Sequence, residues 1–552
     1  MCALTSVRGR FVGLVLGCVA ACPPASAIDV VLRIGDPAPQ IGTAGYTIES
    51  FVEPPSMSTG DFDTFTVFHV TIAGPGVTPN TSHVIYRWDR SSGVVRVARG
   101  GDVVTFDGNE QRILTILESP IVNDQGWVAY TTQLDDFRRG MVVWQPSAPP
   151  LGVAKVGQPI ELPCETVAGN ACNPPLVAGT LGTMATFDAR AGAAFGSFYS
   201  LVLNGDVNQV VFRGAVQAPG FGTPDAVLLR QILPDGTSFG VKVVANSLMR
   251  ADGAASGFFD DFTHLAMCRG GVVAGLATIS QGAPYAIYRY DLGGVNHQLV
   301  ARSYAPDATQ RRDFHCLFEH VGYVGGVSSV ALDGDATKKG VWIADLATLL
   351  HTQVYRNTAT TVAIPAGATL GVPYGQAQAA TVDDVGSVFA TNIIGSTANG
   401  KAGVFRSIGG QLATLLFEEP PTLPGSVDTI WTAHVTLGGE VVFHVRRADQ
   451  GQSILVRRDD GSLTEPLRTG QSIAVAPGDV RTIDSFWALG GAFGADPVVT
   501  GDGTDGIQGA VSPFGEVALV VYYGATTGNP GSAIITAPVI PPQVLFADGF
   551  EG

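Results

Sequence analysis

Residues 123–130, NDQGWVAY, constrain this chain more than any other stretch. Between Ile113 and Gly157 they sit in a succession of short apolar runs: ILTILESPIV, then WVAYTTQL after the turn NDQG, then GMVVWQP, then LGVAKVG. Short runs that alternate apolar with polar or small residues, broken by Asn, Asp and Gly, read as antiparallel strands joined by tight turns. Four such strands make one sheet that cannot cover its own faces. It needs neighbours of the same kind, and the chain supplies them.

A first, irregular unit over residues 47–102 gives TIESFVEP, FTVFHVTI, HVIYRWD and VVRVARGGD. The third places the turn NGDVN before QVVFRGAV, AVLLRQI and GVKVVA. The fourth runs FTHLAMC, the turn RGG, VVAGLATI, YAIYRYD and QLVARS; the fifth runs HCLFEHVGYVGG, VSSVALDG, GVWIADL and TQVYRN. The sixth repeats the opening pattern most closely, with QAQAATV, the turn DDVG carrying Asp384 and Gly386, then SVFATNII, AGVFRSI and QLATLLF. The seventh gives TIWTAHV, TLGG, EVVFHVRR, SILVRRDD and LTEPLRTG. An eighth begins with GIQGAVS, PFG, EVALVVYYG and SAIITAPV but has no fourth strand, whereas residues 29–39, DVVLRIGDPAP, look like a fourth strand with none before it.

These facts predict an all-β protein: one β-propeller over residues 28–540, of eight blades with four antiparallel strands each, closed by the N-terminal strand completing the last blade. Seven is the count if the weak first or eighth unit is discounted, and an open array or two packed sandwiches is the alternative. Composition agrees. Among 552 residues there are 70 Gly and 34 Pro, with only 14% charged, and no helical stripe of three turns follows residue 27.

The first 27 residues read as an export signal: Arg8 and Arg10, an apolar run over 11–21 too short to span a bilayer, and Ala25-Ser26-Ala27 before the cut. Val19-Ala20-Ala21-Cys22 offers lipidation at Cys22 as the alternative. Removal of the signal takes two arginines from a net charge of −16, leaving 30 − 48 = −18. That sign disfavours nucleic acid and anionic membranes as partners. Four cysteines remain, Cys164, Cys172, Cys268 and Cys316, and an even number in an exported chain points to disulfides. Cys164 and Cys172 bracket a Pro/Gly/Asn loop suited to a local staple, although three pairings are open.

IVNDQGWVAY and TVDDVGSVFA, each followed by strands such as GMVVWQP or AGVFRSI, resemble the Asn-x-x-Gly repeats of the choice-of-anchor tandem repeat family of exported bacterial proteins. The fourth, fifth and seventh turns depart from it, carrying Gly-Gly without the leading Asn. The resemblance implies a surface or extracellular repeat protein and carries over no catalytic residue. The end of the chain, VLFADGFEG after a Pro-rich linker, looks like a short sorting tail.

Candidate chemistry is sparse. Residues 236–240, GTSFG, match the G-x-S-x-G nucleophile elbow, but a strand follows where that device needs a helix. His315 and His320, on one strand, would face opposite ways; His434 and His444 lie on successive strands of a hairpin. Asp61, Asp63, Asp333, Asp335, Asp502 and Asp505 occupy Gly-rich loops without completing a calcium-loop spacing. Trp88, Trp127, Trp144, Trp342 and Trp431 recur at strand positions, as packing residues or as sugar platforms. The sequence therefore assigns no catalytic, cofactor-binding or metal residue. It predicts a monomeric exported module binding an unknown glycan or protein, with no transmembrane helix. The rival is a polysaccharide hydrolase or lyase with its site at the mouth of a central channel.

Overall fold

A computed structural model describes residues 28–540 apart from 43–44, 59–63, 118–119, 163–179, 201–204, 234–237, 252–256, 268–272, 281–284, 291–296, 304–313, 318–319, 326–339, 357–368, 382–385, 395–400, 409–410, 420–424, 437, 489–508, 513 and 525–529. The described residues fold as strands and turns, and their strands pair into eight sheets. We number the sheets 1 to 8 in chain order. Sheet 1 is built on Thr66–Ala73 and His83–Asp89, sheet 2 on Val128–Leu134 and Arg139–Gln145, and sheet 3 on Gly205–Gln217 and Asp225–Ile232. Sheets 4 to 7 each have four strands, beginning at Phe259–Met267, Phe314–Leu317, Thr369–Thr381 and Val427–Val435. The first strands of sheets 3 to 7 adjoin one another in turn, which is the radial, propeller-like arrangement in which first strands gather at a hub.

Sheet 8 joins the two ends of the chain. Asp29–Arg33 pairs antiparallel with Gly531–Pro538, in the order Asp29–Arg33, Gly531–Pro538, Glu516–Tyr523, Asp479–Trp487, Ser472–Ala476. Ile28 and Val30 pack into the core between sheets 7 and 8, while Val31 and Leu32 pack into the core between sheets 8 and 1. A strand of five residues therefore contributes to both of its seams. From sheet 1, Arg90 Nη2 lies 3.0 Å from Glu516 Oε1 and its Nε 3.4 Å from Asp29 Oδ2, bridging the same closure. Further cores join sheets 1 and 2, sheets 2, 3 and 4, and sheets 6 and 7.

Four seams share one turn. Arg33-Ile34-Gly35-Asp36, Arg99-Gly100-Gly101-Asp102, Lys155-Val156-Gly157-Gln158 and Arg468-Thr469-Gly470-Gln471 each leave a last strand and enter the next sheet. In each, the backbone N–H of the basic residue donates to the side chain of the fourth residue: to Asp36 Oδ2 at 2.9 Å, Asp102 Oδ2 at 2.8 Å, Gln158 Oε1 at 3.2 Å and Gln471 Oε1 at 3.1 Å. The glycine has φ of 87°, 101°, 87° and 81° in turn. Its N–H donates to the carbonyl of Ile48, Ile113, Met184 or Ile483 in the next sheet, and that residue donates back to the carbonyl of the fourth residue. A turn that satisfies its own backbone while pairing with the following sheet fixes how adjacent sheets meet.

The structure corrects several strand assignments. Sheets 1, 3 and 8 have five strands and sheet 2 has six, not four, because the first strand is split (Thr47–Phe51 with Ser56–Met57; Asn109–Ile116 with Ile121–Val122) or preceded by a short hairpin partner such as Val103–Phe106. In sheet 3 the segment NGDVN is mostly strand: Leu181–Ser200 pairs with Gly205–Gln217 from Ser200 opposite Gly205. HCLFEHVGYVGG contains two paired strands, Phe314–Leu317 and His320–Gly325. The first strand of sheet 8 is Asp479–Trp487, and the described part of GIQGAVS adds an isolated bridge of Val511 to Val517 instead of a strand. Gly386, expected within a turn, begins the strand Gly386–Ile394 opposite Thr381, and Asp384 lies outside the described residues.

Candidate functional site

The most chemically loaded surface among the described residues lies at the seam between sheets 1 and 2. Thr71 stands opposite His83, His69 opposite Ile85, and Val67 opposite Arg87. Cross-strand partners share a face and alternate residues return to it, so these six form one face. Val67 and Ile85 belong to the core shared with sheet 2, so this is the face turned toward that sheet. It is apolar in the middle and polar at both ends.

At one end stands Arg87, buried at 5% exposure. Its Nη1 donates to the Gly126 carbonyl at 3.1 Å and its Nη2 to Asp89 Oδ2 at 3.0 Å, with Phe65 and Trp144 against the guanidinium. Gly126 has φ of 72°, and a Cβ there would come within 2.6 Å of Arg87 Nη1 and 2.8 Å of Phe65. Asn123 and Gly126 close a turn in which the Gly126 N–H donates to the Asn123 carbonyl at 3.0 Å. Asn123 Oδ1 accepts from the N–H groups of Gln125 and Trp127 at 3.1 and 2.9 Å, and Asn123 Nδ2 reaches Asn208 in sheet 3. Gly439 and Gly515 repeat the positive φ, at 87° and 74°.

At the other end is a row of three titratable groups. His69 Nε2 lies 2.9 Å from His83 Nδ1, and His69 Nδ1 lies 3.6 Å from Glu53 Oε1. His69 and Glu53 are buried, at 2% and 7% exposure, whereas His83 is half-buried. Burial, and then the neighbouring His69, push the His83 pKa down from its ordinary value. Ser50 Oγ and Thr71 Oγ1 meet at 2.6 Å, and Glu49 Oε2 lies 3.5 Å from that threonine. A carboxylate beside an imidazole that hydrogen-bonds a second, half-exposed imidazole can hold a proton and pass it outward. Residue spacing gave no hint of this row. It depends on the register of two strands and on a bulge between Ile48 and Ser50.

Other arginines, buried (Arg230, Arg406) or half-buried (Arg289), are committed to seams. Arg230 donates to the Val153 carbonyl at 3.0 Å and to Ser238 Oγ at 2.7 Å; Arg406 donates to the Gly439 carbonyl and to Asp459 Oδ1; Arg289 donates to the Leu346 carbonyl. In four repeats the third strand thus carries an arginine at matching positions, in YRW, LRQ, YRY and FRS, a signal visible in the sequence. Ser238 of the G-x-S-x-G match accepts from Arg230 and bridges Ile232, with no helix after it.

His434 and His444 do share a face, through His434 opposite Val442 and Thr432 opposite His444. His444 lies edge-on to Trp431 at 4.6 Å and close to Phe486, and burial, with His434 beside it, pushes its pKa down to about 3. His315 and His320 occupy two paired strands, opposite Gly322 and Leu317, rather than one. Among the described residues no three His, Cys, Asp or Glu groups converge as metal ligands. Asp61, Asp63, Asp333, Asp335, Asp502, Asp505, Cys164, Cys172 and Cys268 lie outside the described residues; Cys316 lies in Phe314–Leu317, opposite Val321. Trp88, Trp127, Trp144 and Trp342 are buried, so they pack rather than offer open platforms. No helix among the described residues is long and apolar enough to cross a membrane.

A family of unknown function, DUF7453, matches residues 19–166, which span the closing strand and sheets 1 and 2. No curated protein matches the chain. Among solved structures, the WD40 domain of SCAP from fission yeast is similar at 8% identity, over 94% of this chain and 100% of that one, with a TM-score of 0.39. A post-proline cleaving enzyme from Rickettsia typhi matches at 10% identity over 86% of this chain and 58% of its own, with a TM-score of 0.37. The polysaccharide lyase Uly1 matches at 11% identity over 80% and 98%, with a TM-score of 0.33. Superpositions this loose bear on neither substrate nor chemistry.

Proposed function

We propose that the protein is an exported propeller of eight blades, one for each sheet, that serves as a binding module for an extracellular glycan or protein. One observation carries this reading: the buried arginines Arg87, Arg230 and Arg406 each donate to a backbone carbonyl of a neighbouring sheet, so their charges brace the scaffold. A scaffold braced in this way leaves recognition to the irregular loops between repeats. The export signal over residues 1–27, with cleavage after Ala27, belongs to the same reading, as does lipidation at Cys22 as its variant. So do disulfides drawn from Cys164, Cys172, Cys268 and Cys316, which four free thiols in the exported protein would exclude. A glycan array and a polysaccharide-degradation screen on the purified protein test the proposal together. Binding without turnover supports it; turnover of any polysaccharide overturns it.

A second reading, an enzyme acting on polysaccharide, is favoured by the Glu53–His69–His83 row, where His83 is placed to serve as a general base. If the screen finds turnover, His83→Asn should abolish it. Turnover that survives this substitution places the chemistry elsewhere.

A further inference from the structure

We propose that His69 and His83 form a pH-operated latch on the seam between sheets 1 and 2. The contact of 2.9 Å between His69 Nε2 and His83 Nδ1 is a hydrogen bond with one nitrogen donating and the other accepting. That arrangement requires the facing nitrogens to share a single proton. A proton taken up on one of the outer ring nitrogens leaves that bond in place; only when both rings are protonated do two N–H groups confront each other, and the contact breaks. The two histidines then separate in different directions. His83 is half-buried and turns toward water, while the imidazolium of His69 has the Glu53 carboxylate 3.6 Å from its other nitrogen.

The surroundings set the sign. Glu53 faces His69, and Glu49 lies beyond Thr71. Arg99, on the strand next to His83, lies over the Tyr46 ring. From sheet 2, Ile113 and Ile116 add apolar core and Tyr130 adds a buried phenol whose pKa burial pushes up. Burial lowers the His83 pKa, so the latch stays closed at neutral pH and opens as pH falls below the ordinary histidine range. Of the strands it releases, Thr66–Ala73 is paired with Thr47–Phe51, and the start of His83–Asp89 is paired with Thr66–Ala73.

Hydrogen–deuterium exchange of the purified full-length protein at pH 7 and pH 5, corrected for intrinsic rates, tests this. Exchange in Thr66–Ala73 should rise by at least about tenfold at pH 5 relative to Lys242–Asn246, because each proton taken up on opening multiplies the open population by about ten per pH unit over the range in which it binds. His83→Asn should remove the rise, because the asparagine carbonyl accepts from His69 in either protonation state. Glu53→Gln should move the opening to lower pH, because the carboxylate that receives the His69 imidazolium is gone. A flat wild-type profile overturns the latch. So does the same rise in His83→Asn or, should that variant fail to fold, an unshifted opening in Glu53→Gln.

Discussion

Arg87 in sheet 1 donates to the carbonyl of Gly126 in sheet 2, across a seam where that glycine has no room for a side chain. The guanidinium is buried, paired with Asp89 and stacked between Phe65 and Trp144, so it contributes charge, geometry and packing at once. Arg87→Met should cost roughly 3 kcal/mol, because it leaves the Asp89 carboxylate buried without its cation. A urea midpoint within error of the wild type would show that the contact is dispensable.

Glycines at positive φ should separate by their surroundings. Gly35 and Gly126 have φ of 87° and 72°, but a Cβ at Gly35 meets nothing within 4 Å whereas one at Gly126 collides with Arg87 and Phe65. Gly35→Ala should therefore cost only the backbone term of about 1 kcal/mol, and Gly126→Ala at least twice that. Equal losses in denaturant titrations would contradict the packing account.

The closing strand should behave as an indispensable part of the ring. Deleting residues 28–40 removes Ile28, Val30, Val31 and Leu32 from two cores at once and exposes the edge of Gly531–Pro538. The melting temperature should drop by more than about 10 °C, and a peptide spanning the strand should restore part of the loss when added in trans. An unchanged melting temperature would count against closure as a source of stability.

Acid should weaken sheet 7 through His444. Its pKa falls from 6.5 to about 3 on folding, so the stability it contributes is present above pH 6.5 and is lost as pH falls toward 3. His444→Phe keeps a ring between Trp431 and Phe486 but takes up no proton. Between pH 6 and pH 4 the wild type should lose about 1.4 kcal/mol per pH unit relative to the variant. Parallel pH profiles would show that His444 does not titrate on unfolding.

The seam turns make a graded set. Asp36, Asp102, Gln158 and Gln471 each accept from the backbone of the basic residue three positions earlier. Changing any one to alanine should cost about 1 kcal/mol, whereas Gln158→Glu, which keeps an acceptor at the same reach, should be nearly neutral. Thermal shift measurements across the four positions check both statements.

The repeating strands of each sheet and the turn at Asn123–Gly126 were written in the sequence by itself, because alternation with period two and the preference of Asn, Asp and Gly for tight turns act over only a few residues; NGDVN and Gly386, expected in turns, were drawn into strands by pairing across their sheets. A missing fourth strand at one end and a spare one at the other announced the pairing of Asp29–Arg33 with Gly531–Pro538 for the same reason. Split first strands such as Thr47–Phe51 with Ser56–Met57 were not legible, since two-residue strands carry no periodicity. Nor was the Glu53–His69–His83 row. Its members are 16 and 14 positions apart, and only cross-strand register and the approach of sheet 2 bring them onto one half-closed face. Local chemistry named the strands; the tertiary structure decided which polar side chains would be buried together, because burial belongs to the seam between sheets and to neither sheet alone.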